Sequence, residues 1–141
     1  MDVLFLVGRL LFVALFLFAG VMAHLVGYRQ GVEYARSFGS PLPEIGVPLT
    51  GLMAVGGAVL VAFGVLADLG AMLIAAFLLL ITPIMHPFWK ERGAQKRQVQ
   101  MSMFMKNLAL LGGAIVLFYL YNQLQGHAGL SLTDPLFERG G

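Results

Sequence analysis

The sequence predicts an all-α membrane protein, a bundle of four transmembrane helices. Three observations carry this expectation. Four continuous apolar runs, each near the length of a bilayer crossing, occupy most of the 141 residues. Hydrophobic residues form 59% of the chain and charged ones 11%, where a soluble domain carries roughly a quarter charged residues. Mean hydropathy is +0.85. So few charges cannot cover a surface that faces water.

A hydrocarbon core of ~30 Å takes about 20 helical residues at a rise of ~1.5 Å each. The first run, residues 3–26, is broken only by Arg9 and His24. It reads as a retained helix and not a signal peptide, because the start is acidic (Asp2), Arg9 interrupts the apolar stretch, and three more runs follow. Residues 47–67 contain no ionisable side chain. Residues 69–85 are equally clean and extend through Phe88 and Trp89. Residues 108–121 are short, and reach an adequate length if the helix starts near Met103 and Lys106 snorkels. None of the runs alternates apolar with polar residues as a barrel strand would, so each must satisfy its backbone as a helix. Residues 1–122 thus form the transmembrane domain. Residues 123–141 form a polar C-terminal tail, interfacial or mobile, in which Pro135 opposes a long helix.

Loop charges set an expected orientation. Arg29 and Arg36 fall in the first connection; Lys90, Arg92, Lys96, Arg97 and Lys106 fall in or beside the third. Positive-inside counting puts both connections in the cytoplasm and both termini on the non-cytoplasmic side. Small residues allow close helix approach in lipid, which marks Gly56-Gly57 and Gly112-Gly113 as expected contact points. The same glycines leave open a self-associating, homo-oligomeric structural protein.

Several function classes are excluded. With no cysteine there is no disulfide and no thiolate metal site. The three histidines, His24, His86 and His127, are scattered and lack nearby carboxylates, so no metal site is expected. Basic residues are too few and too local for a nucleic-acid surface. No nucleophile–base arrangement or phosphate-cradling glycine loop is present, so no catalytic residue is assigned.

Polar residues within the spans are the candidate site. Arg9 lies about two turns into the first helix, where it snorkels to the headgroups, pairs with Asp68 at the same face, or anchors a ligand. His24 is ~22 Å further along the same helix, so it cannot share a site with Arg9. His24, Tyr28, His86, Trp89, Lys106 and Asn107 should collect at the other membrane face. Pro83 and Pro87 flank His86 and free backbone carbonyls there. Two readings of this group stand open. Lys106 or Asn107 joins helices three and four in a polar clasp with Trp89 as an interfacial anchor, or the group binds an amphipathic headgroup such as a quinone or lipid.

Three segments carry a family resemblance. They are Tyr34-Ala35-Arg36-Ser37-Phe38-Gly39-Ser40-Pro41-Leu42-Pro43, then Met85-His86-Pro87-Phe88-Trp89, and Met103-Phe104-Met105-Lys106-Asn107-Leu108-Ala109-Leu110-Leu111-Gly112-Gly113. With Arg9 and Gly20 they resemble the DoxX family of small bacterial and archaeal integral membrane proteins, over roughly residues 5–120. The chain departs from many relatives in having Leu52-Met53-Ala54-Val55 where they carry a glutamate. The family takes its name from relatives of a thiosulfate:quinone oxidoreductase subunit, and some members associate with oxidant-defence enzymes. The resemblance therefore implies an accessory subunit partnering a redox enzyme in the membrane, with quinone as the implied ligand and no catalysis by the chain alone. A lipid or small-molecule carrier is the alternative.

Overall fold

The computed structural model describes the backbone of residues 2–124 and 130–137, and their side chains other than those of residues 23–25 and 124. Helix α1 (Asp2–Gly20) continues into a π-helical stretch (Val21–Val26), and a short helix α2 (Tyr28–Ser37) follows. Then come α3 (Pro43–Phe63), α4 (Ala67–Met85), a single 3₁₀ turn (Phe88–Lys90) and α5 (Ala94–Leu124). No strand occurs among the described residues. Helices α1, α3, α4 and α5 are long and apolar enough to cross a membrane.

Two spans differ in extent from the expectation. Helix α3 begins and ends four residues early. Pro43 occupies its first turn, where a missing N–H costs nothing, and Gly64 ends it in the left-handed region at φ 63°. Within it, Pro48 cannot donate to the carbonyl of Glu44, and that carbonyl instead accepts the Tyr28 hydroxyl at 3.2 Å. Helix α5 starts at Ala94, not near Met103, and its 31 residues span about 46 Å. That exceeds the ~30 Å hydrocarbon core. Lys96 and Arg97 ride on the first turn of the excess.

Helix α2 lies in what the composition alone marks as a loop. Val32 and Ala35, three apart on one helical face, are buried against Val47 of α3 and Met85 of α4. An exposed ion pair, Arg36 with Glu44, ties α2 to the start of α3. Such surface pairs add little stability.

The bundle is apolar outside as well as inside. Leu11, Phe18 and Leu52 are more than two-thirds exposed on its flanks, as lipid-facing residues must be. The core draws on all four spans: Val13 and Phe16 of α1, Ala58 and Val61 of α3, Ile74 and Leu78 of α4, and Ala114 of α5. Helix α3 packs against α1 and α4, and α4 against α5. Because lipid removes most of the hydrophobic drive between helices, close fit does the holding. Gly57 lies against Gly70, Gly20 against Val55 and Gly113 against Phe12, whereas Gly56 and Gly112 face open space. Only one glycine of each expected pair makes a helix contact.

A candidate ligand cavity

The two ends of the bundle carry different polar groups. At the end formed by the α3–α4 turn, residues 130–137 fold back as a strap. The Gly64 carbonyl accepts N–H groups from Leu132 at 3.0 Å and Thr133 at 3.1 Å. The Leu66 N–H donates to Thr133 Oγ1 at 2.9 Å. Asp68, fully buried, accepts the backbone N–H of Leu136 at 2.9 Å and of Phe137 at 2.7 Å. Arg9, also buried, donates to Ser131 Oγ at 3.2 Å and to the Leu130 carbonyl. Arg9 and Asp68 thus share the expected face without pairing to each other. Each holds the strap, which meets the need of a buried charge for hydrogen-bond partners. The Arg9 Nε and the Tyr121 hydroxyl are buried beside one another with no hydrogen bond of normal geometry among the described residues.

At the opposite end, a cavity of about 430 Å³ lies between α1, α2, α3, α4 and α5. Phe16, Ala54, Phe77, Leu78, Ile81 and Leu110 give it apolar walls, and His86, Lys106 and Asn107 contribute polar groups. Leu15 of α1 and Leu80 of α4 also line it and are exposed on the bundle's flank, while Tyr34, Pro41 and Lys106 line it and are exposed at the α2 end. Asn107 is only 8% exposed, yet its carboxamide makes no hydrogen bond among the described residues and lies at the cavity wall. An amide left unpaired in an apolar setting is costly.

His86 is placed by the end of α4. Its N–H still donates to the Thr82 carbonyl at 3.0 Å, and Pro87, lacking an N–H, stops the helix there. The imidazole Nδ1 lies 2.9 Å from Oε1 of Gln100 on α5. A carboxamide oxygen only accepts, so this contact fits the tautomer that donates Nδ1–H and leaves Nε2 as an acceptor. The clasp between α4 and α5 therefore runs through Gln100, and no hydrogen bond from Lys106 or Asn107 to the α4 carbonyls is present. The Lys106 ammonium lies 3.7 Å from Met103 Sδ, one turn toward the α2 end, the direction in which a snorkelling lysine reaches.

Two other expected site residues, Tyr28 and Trp89, lie outside this cavity. Tyr28 is engaged with the Glu44 carbonyl. Trp89, half exposed, packs edge-to-face on Phe88 and Phe104 at centroid distances of 5.1 and 5.9 Å. The side chain of His24, and all of His127 and Arg139, lie outside the described residues, as do residues 125–129 and 138–141 of the tail. Gln100 escaped the sequence reading, although it lies seven residues before Asn107 and so on the same helical face. Arg9 and Asp68 are among the expected anchors, but the strap they hold escaped the sequence pattern, since backbone N–H groups leave no trace in residue identities.

Four long apolar spans, with an apolar cavity carrying a few polar groups between them, define a multi-pass membrane protein. Residues 4–87 match the DoxX family. The inner membrane protein YqjF of Escherichia coli (strain K12) is 34% identical over 116 residues, covering 82% of either chain. This chain belongs to the DoxX family. No solved structure matches it.

Proposed function

We propose that this protein is an accessory subunit of a redox enzyme in a bacterial inner membrane, holding a membrane quinone in this cavity. The observation that carries the reading is Asn107, a largely buried residue whose carboxamide lines the cavity with His86 and Lys106 and has no hydrogen-bond partner among the described residues. Nearly everything else in the cavity is hydrocarbon. A ring with polar oxygens on an isoprenoid tail matches that division, with the ring at the polar end and the tail leaving between Leu15 and Leu80. The volume falls within the range of small-molecule sites, roughly 300–1,000 Å³. The redox setting rests on the family theme, and the inner-membrane setting extends the name of the Escherichia coli relative to this chain.

Orientation belongs to the same proposal. Arg29, Arg36, Lys90, Arg92, Lys96 and Arg97 all lie at the α2 end of the bundle, and the positive-inside rule assigns that end to the cytoplasm. The cavity then sits in the cytoplasmic half and the strap on the far side.

The test is to capture the full chain in nanodiscs from native membranes and quantify bound quinone and co-purifying proteins by mass spectrometry. Quinone should accompany the wild type near one per chain, together with a redox enzyme. Asn107→Leu should lose the quinone while keeping its helical content. Wild-type protein without quinone or redox partner would overturn the reading. The exposed Lys106 ammonium favours a second reading, a held phospholipid, and retention of phospholipid alone would select it.

A further inference from the structure

We propose that Gln100 is a positioning residue that fixes His86 with Nε2 as an acceptor, so that the cavity selects the reduced, hydroxyl-bearing form of a quinone-type ring. This rests on the preceding reading and deepens it by naming the redox state of the guest. Donors and acceptors at the cavity wall decide the preference. Gln100 Oε1 holds the His86 proton on Nδ1, and the same ring lines the cavity, where neutral Nε2 offers a lone pair. Lys106 offers only donors, and the Asn107 carboxamide, like the Tyr34, Ser40 and Thr50 hydroxyls that also line the cavity, offers both kinds. An oxidised ring presents carbonyl oxygens alone. These satisfy Lys106 and the Asn107 amide but leave Nε2 facing an acceptor. A hydroquinone hydroxyl donates to Nε2 while its oxygen still accepts from the lysine or the amide. One hydrogen bond made instead of left unmade at a desolvated acceptor corresponds to about tenfold in affinity.

The experiment uses the full chain in nanodiscs, with decylubiquinol held reduced under anaerobic dithionite and decylubiquinone as the oxidised probe. Wild type should bind decylubiquinol about tenfold more tightly than decylubiquinone. Gln100→Leu frees the ring to adopt either tautomer, and the ratio should fall toward one. Gln100→Glu places a carboxylate at Nδ1 that favours the imidazolium, whose Nε2–H donates, so the preference should shift toward the oxidised probe. A purely packing role for Gln100 would weaken both probes alike and leave the ratio unmoved. Equal wild-type affinity for the two forms, or an unchanged ratio in Gln100→Leu, overturns this inference and leaves the quinone reading standing. Failure of both probes to bind wild type overturns the two together.

Discussion

Gly57 of α3 and Gly70 of α4 face each other so closely that a Cβ placed on either would lie 2.7 Å from the carbonyl oxygen of the other. The obstacle is backbone on both sides, so no side chain can turn away to make room. We predict that Gly57→Val pushes α3 from α4 and costs about 1–3 kcal/mol, as overpacking of a fitted core does. Gly112→Ala, where nothing lies within 4 Å, should change stability by under ~0.5 kcal/mol. Unfolding of both variants in mild detergent checks this, and equal loss in the two would show that the contact is not special.

Asp68 accepts two backbone N–H groups from the strap. Asp68→Ala removes both acceptors and should loosen the strap by about 3 kcal/mol, given ~1.5–3 kcal/mol for a hydrogen bond to a charged group. Hydrogen exchange at the Leu136 and Phe137 amides reads this locally. Asp68→Asn, with one acceptor oxygen left, should fall between. Unchanged protection in Asp68→Ala would mean that the strap is held elsewhere.

The Thr82 hydroxyl is buried on α4 with no hydrogen-bond partner among the described residues. Valine has the same shape without the unmet polar group. Thr82→Val is expected to stabilise the bundle by about 1 kcal/mol, since burying an unpaired hydroxyl costs at least that. A lower melting temperature in that variant would argue for a guest or water bonded there.

Because the chain has no cysteine, a single introduced thiol reports orientation without background. Ser37→Cys at the end of α2 should react with a membrane-impermeant maleimide only after the cytoplasmic side is opened. Leu132→Cys, on the exposed strap, should react from outside in intact cells. The reverse pattern would invert the proposed orientation.

The four spans could be read directly from the residues, because a long apolar run in lipid has one way to pair its backbone. Their ends were harder. Pro43 starts α3 and Gly64 stops it through backbone properties that hydropathy ignores. Helix α2 stayed hidden because it is only ten residues long and polar on average, although Tyr28, Val32 and Ala35 do form a stripe at helical spacing. Of the polar residues expected at one face, His86, Lys106 and Asn107 do meet in one cavity. Tyr28 and Trp89 were grouped with them by depth alone, and depth does not say which way a side chain turns. The destination of Arg9 and Asp68 depended on residues 130–137, more than sixty positions away in sequence from either. That distance is closed by folding, and local pattern does not reveal it.

In the proposed reading a guest reaches the cavity past Leu15 and Leu80, from within the plane of the membrane. For any molecule using that doorway, the relevant concentration is its mole fraction among the surrounding lipids, not its level in the aqueous phase. Occupancy then follows how much of the compound the bilayer stores, and diluting the vesicles in buffer would leave it nearly unchanged.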